Sequence, residues 1–88
     1  MDMNLPAVAP PAVRDNAPVQ FSAYGPGWGY CAFEIQPSVM CARLGAADAT
    51  AKQMLLAFEL GKRTIARVIT DKSLPSTGER VTLGSNDF

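Results

Sequence analysis

Two short runs of apolar–polar alternation constrain the fold more than any other feature of the chain. Val19, Phe21 and Ala23 alternate with Gln20 and Ser22, and Cys31, Phe33 and Ile35 alternate with Ala32 and Glu34. Successive side chains of a strand point to opposite faces, so each run reads as a strand with one buried face. Between them lies Gly25-Pro26-Gly27-Trp28-Gly29, whose glycines supply the positive φ angles that tight turns require. The pattern predicts a β-hairpin.

Helical spacing takes over after the hairpin. Pro37 suits the first turn of a helix, where its missing N–H costs nothing. A short helix from Pro37 to Leu44 would place Met40, Cys41 and Leu44 on one side, with Gly45 as its stop. Asp48 is a candidate N-cap for a second, long helix ending near Lys72. On that helix Ala51, Met54, Leu55, Phe58, Gly61, Ile65, Val68 and Ile69 form one apolar stripe about 140° wide. A straight helix of that extent would be about 37 Å long. A folded region of roughly 70 residues is small for such a rod, so a frayed end or a bend near Gly61 is expected. Leu74 to Gly78 reads as a loop, and Glu79 to Gly84 as a last strand with Val81 and Leu83 facing in. The order is ββααβ. The predicted class is α+β, a small antiparallel or mixed sheet of hairpin plus C-terminal strand, packed against one short and one long helix.

Four of the seven prolines lie among residues 1–18, interleaved with Ala and Val. Proline cannot donate to a ladder, so this stretch reads as a mobile, Pro/Ala-rich tail, with one domain over residues 19–88. The start, Met1 to Pro6, lacks the basic and apolar regions of a secretory signal. With only two cysteines in 88 residues, far fewer than a secreted disulfide scaffold carries, a cytoplasmic location is expected. No apolar run reaches the roughly 18–20 residues that span a bilayer, so no membrane partner is expected.

Composition also narrows the chemistry. With no histidine, there is no imidazole base, ligand or pH switch. Eight basic and eight acidic residues balance, leaving no overall field to draw nucleic acid. The carboxylates are scattered, without a pair spaced for acid–base work. Cys31 and Cys41 lack an activating partner and read as two buried, inert thiols. The glycine spacing around Trp28 fits no phosphate loop. No catalytic residue, metal site or cofactor is expected, and the chain reads as a non-enzyme.

The feature that points to a role is the far side of the long helix. Leu56 and Leu60 fall opposite the core stripe, and Arg63 and Arg67 continue the same ridge with spacings of three and four. Two leucines flanked by arginines make a docking surface for a partner protein or for a second copy. Coverage by the first helix or the tail, or ordinary scattered surface leucines, would account for the same pattern. Trp28 joins the partner-binding set if it points outward; folded back, the preferred reading, it lids the core. The competing functional reading is weak nucleic-acid binding through Lys52, Lys62, Arg63 and Arg67, although Glu59 stands four residues before Arg63 to neutralise it. A Pro-rich tail recognised by an adaptor partner is a third option, weakened by the absence of a P-x-x-P spacing.

Several of these pieces together resemble a family of short bacterial proteins known as domain of unknown function 1488. The resemblance rests on Val19-Gln20-Phe21-Ser22-Ala23, Cys31, the Met40…Leu44-Gly45-Ala46 helix end, Leu56-Ala57-Phe58, Arg63-Thr64-Ile65 and Leu83-Gly84-Ser85-Asn86-Asp87-Phe88. It covers about residues 19–88. The family has a simple Asp-Gly-type turn where this chain has Gly25 to Gly29, and a more apolar start. The resemblance implies an α+β fold and a bacterial origin, and carries no catalytic motif with it.

Overall fold

The computed structural model describes residues 6–25, 29–71 and 79–88. It is an α+β protein in two layers. Strands β1 (Ala7–Val8), β2 (Val19–Gly25) and β3 (Gly29–Ile35) come first, then helices α1 (Pro37–Arg43), α2 (Ala51–Leu60) and α3 (Lys62–Asp71). Strand β4 (Val81–Leu83) and a 3-10 turn over Ser85–Asp87 close the order. The sheet runs β1-β2-β3-β4, antiparallel except for the parallel β3–β4 pair. A parallel pair demands a long crossover, and the three helices form it.

The hairpin register follows the alternation directly. Val19 pairs with Ile35, Phe21 with Phe33 and Ala23 with Cys31; all of these are buried except Cys31, which is half-buried. Leu83 adds a fully buried side chain from β4 and Val81 a half-buried one. On the helices the core takes Met40, Met54, Phe58, Ile65 and Ile69. The Phe21 ring lies 5.5 Å from Phe33, nearly parallel, and 5.0 Å from Phe58, edge-on. That trio ties sheet to helix at the centre of the core.

Four features differ from the sequence reading. First, residues 6–18 are part of the fold, not a mobile tail. β1 pairs with β2 through Ala7–Tyr24 and Val8–Ala23, and a further bridge joins Ala12 to Gln20. The register shifts by one residue between these contacts, so Pro10 and Pro11 together face Phe21 across a β-bulge. Proline is tolerated there because an edge strand at a bulge needs no donor. The strand order is therefore βββαααβ, one strand and one helix more than predicted.

Second, the long helix is two. α2 and α3 meet at Gly61, where an unbroken 25-residue rod would exceed the longest dimension of the molecule, 35 Å. Hydrogen bonding continues across the joint, Gly61 N–H to the Ala57 carbonyl and Ile65 N–H to the Gly61 carbonyl, each at 2.9 Å. The helix is interrupted at Gly61, whose φ of −97° and ψ of 7° depart from helical values, at the position where a bend was expected. The approach at glycine is close: a Cβ at position 61 would lie 3.0 Å from the Ala57 carbonyl oxygen and 3.0 Å from a Leu44 methyl. Gly61→Val is expected to cost about 2 kcal/mol through overpacking. Urea denaturation of the variant against the parent checks this, and an unchanged midpoint would contradict the contact.

Third, the N-cap of α2 is Thr50, not Asp48; its hydroxyl oxygen accepts the Gln53 N–H at 3.3 Å. Asp48 works one step back, accepting the Thr50 hydroxyl at 2.6 Å and the Thr50 N–H at 3.0 Å. The hydroxyl bond first, then the backbone one, hold the Asp48 carboxyl below its usual range. Fourth, α1 buries Val39 and Met40, with Leu44 half-buried, whereas Cys41 is exposed. Gly45 ends α1 as expected: at φ +81° it turns the chain so that the Ala46 N–H reaches the Met40 carbonyl.

Candidate docking ridge on the helical layer

All three helices cover one face of the sheet, and α2 leaves an apolar strip on the outside of that layer. The N-terminal segment fixes where α2 begins. The Asp15 carboxylate accepts the Ala51 N–H at 2.6 Å, and the Asn16 N–H donates to the Ala49 carbonyl at 2.8 Å. Met54, Ala57 and Phe58 then face the sheet, which forces Leu56 and Leu60 to the opposite side. Leu56 is 53% exposed and Leu60 81% exposed. Neither α1 nor residues 6–18 cover them. Leu55, assigned to the core stripe, is instead 42% exposed. It sat at the margin of that stripe, and Ala57 takes the buried place on the other flank.

Beyond the joint, Arg63 and Arg67 are exposed on α3, and both interact with other groups of the chain. Lys52, one turn before Leu56, is exposed as well. The exposed residues are thus Lys52, Leu56 and Leu60 on α2, whose start also carries the Asp15 and Asp48 carboxylates, and Arg63 and Arg67 on α3.

The alternative basic set fares differently. Lys62 pairs with Glu59, three residues before it, at 3.3 Å, and Arg63 has an interaction of its own within the chain. Lys52 lies on α2 and Arg67 on α3, fifteen residues apart in sequence and on either side of Gly61. The two leucines lie between them.

The outer face of the sheet carries a feature the sequence reading did not single out. Tyr24 and Tyr30 face each other across the hairpin with ring centres 5.1 Å apart, and are 49% and 78% exposed. The alternation held the clue, since both flank inward residues, Ala23 and Cys31. Nearby, Arg80 donates to the Phe33 carbonyl at 2.9 Å. It borders a shallow groove of about 260 Å³ with Pro10, Ala12, Gln20 and Ser22. Trp28, assigned to the partner-binding set, lies outside the described residues. Among the described residues no helix is long and apolar enough to cross a membrane. Nor does any group of three Cys, Asp or Glu stand close enough to hold a metal ion.

Comparison of the chain with protein-family models, with curated proteins and with solved structures finds no match in any of the three.

Proposed function

We propose that the chain is a non-enzymatic protein-interaction module of the bacterial cytoplasm that docks a partner on Leu56, Leu60, Arg63 and Arg67. The observation that carries this reading is the 81% exposure of Leu60 next to a half-exposed Leu56 on the same helix face. Leaving two such side chains in water forgoes about 1–3 kcal/mol each relative to full burial. A partner that covers them recovers part of that free energy. The resemblance to domain of unknown function 1488 belongs to the same proposal and adds bacterial origin to it. The lack of a histidine and of paired carboxylates supports a binding role over a catalytic one. Composition alone supports the cytoplasm.

Leu60→Glu tests the reading. The tagged protein and this variant are used side by side to capture partners from nuclease-treated lysate of the source bacterium. A protein held by the parent and lost by the variant is the expected result. The thermal midpoint should stay within about 5 °C, because an exposed position contributes little to the core. A collapse in midpoint would make Leu60 a core residue. Retention that disappears with nuclease in the parent would favour Lys52, Lys62, Arg63 and Arg67 as a nucleic-acid face.

A further inference from the structure

We infer that the groove beside Arg80, on the outer face of the sheet, binds a small oxyanion, a phosphate or carboxylate group. The site is separate from the leucines of α2 and does not depend on them. One wall comes from the prolines of the N-terminal segment. Ala9 N–H donates to the Ser22 carbonyl at 2.9 Å, and Ala12 and Gln20 exchange bonds at 2.7 and 3.2 Å. Between these contacts Pro10 and Pro11 have no N–H to give, so the ladder is broken at the bulge. An antiparallel residue turns its N–H and its carbonyl to the same neighbour. Ser22 meets the N-terminal segment through its carbonyl, yet among the described residues the return bond from its N–H to the Ala9 carbonyl is not made. The break thus leaves a main-chain donor beside the groove.

The opposite wall is a cation held in place. Arg80 Nη1 donates to the Phe33 carbonyl at 2.9 Å. That bond occupies one of several guanidinium N–H groups, and its acceptor is neutral, so the charge is not offset by it. Between the walls lie Gln20 and Ser22, which add an amide and a hydroxyl, both able to donate. Among the described residues no carboxylate lines the groove, and none forms an ion pair with Arg80. Glu34, opposite Gln20 in the ladder, accepts the Gln36 amide at 3.3 Å.

Converging donors around one positive charge select a ligand that accepts several hydrogen bonds and carries negative charge. The planar fork of a guanidinium matches two oxygens of a carboxylate or a phosphate. A neutral ligand would strip water from the guanidinium without supplying a counter-charge. The groove is shallow, about 260 Å³, which suits an anion of a few heavy atoms. Its openness to water and salt limits the affinity to the millimolar range.

Titration of the nitrogen-15-labelled full chain, followed by two-dimensional NMR, tests the site. Sodium phosphate or sodium acetate replaces sodium chloride at pH 7 and constant ionic strength. The expected result is saturable shifts clustered on the Ser22 N–H, the Gln20 side-chain amide and the Arg80 Nε–H. Arg80→Gln should raise the midpoint at least about tenfold, and Arg80→Lys, which keeps the charge and loses the fork, about threefold. Lys52→Gln, at an exposed lysine of α2, should leave it unchanged. Spectral dispersion away from the groove reports whether each variant is folded. If Arg80→Gln is not, Arg80→Lys and Gln20→Ala carry the test, the latter with a several-fold loss.

A lower midpoint with phosphate assigns a phosphate group to the groove, a lower one with acetate a carboxylate, and equal midpoints an oxyanion site indifferent to the two. Shifts that grow without saturating, or that scatter over exposed cations such as Lys52, would overturn the site. So would saturable binding whose midpoint is the same in Arg80→Gln as in the parent.

Discussion

Phe58→Ala is expected to remove most or all of the folding stability. Phe58 is fully buried and meets Phe21 edge-on at 5.0 Å, while Phe21 stacks on Phe33. It is the one aromatic that α2 contributes to the core, so it carries the contact between the helical layer and the centre of the sheet. Truncating a buried Phe costs about 3–5 kcal/mol, part lost transfer energy and part residual cavity. A core this size supplies about 3–5 kcal/mol of net stability, so the two quantities nearly cancel. Circular dichroism at 25 °C should show a chain largely unfolded before any urea is added. Phe58→Leu separates volume from the aromatic contact. It keeps most of the bulk and is expected to cost about 1 kcal/mol, leaving a cooperative transition at lower urea. An alanine variant as stable as the parent would place the folding energy elsewhere.

How much of this was legible in the residues differs from element to element. The hairpin was, because period two over Val19–Ala23 and Cys31–Ile35 has no helical reading and its register follows from the inward set. The break at Gly61 was legible as geometry: a rod of that length does not fit so small a body. Leu56 and Leu60 were legible as exposed because they fall opposite Met54 and Phe58. Leu55 and Cys41 were misplaced for one shared reason. A helical wheel marks a stripe, but the neighbouring layer decides how wide a stripe it covers, and small residues such as Ala57 and Ala66 take buried places that bulkier neighbours vacate. Asp48 as N-cap was off by two residues because Asp and Thr serve the same purpose there and act in relay. The largest miss was the N-terminal segment. Its prolines argue against a central strand, and they say nothing against a bulged edge strand. Asp15 carries no local mark of the helix it touches, since Ala51 lies 36 residues away.

Deleting residues 1–17 is expected to lower the thermal midpoint by about 10–25 °C, the shift that about 3 kcal/mol produces in a domain of this size. Three groups of contacts go with the segment. Strand β2 loses its neighbour, including Ala9 N–H to the Ser22 carbonyl at 2.9 Å and the reciprocal Ala12–Gln20 pair at 2.7 and 3.2 Å. Val8 and Val13 no longer pack on the core. The start of α2 loses the Asp15 carboxylate and the Asn16 N–H, the latter presented by a residue held at φ +56°, a conformation asparagine tolerates better than most. These hydrogen bonds, at about 1 kcal/mol each, and two partly buried valines are offset in part by the conformational entropy of ordering the segment, which leaves a net loss of about that size. Asp15→Ala isolates the helix-start contribution and should cost about 1 kcal/mol, like the loss of other caps. A truncated chain that melts with the parent would mean that the segment adds no net stability. The expected loss has a second consequence. Without β1, strand β2 presents an unpaired edge carrying Val19, Phe21 and Ala23, and such edges recruit other chains. The truncated protein should therefore aggregate on heating, while Asp15→Ala, with its edge still covered, should refold.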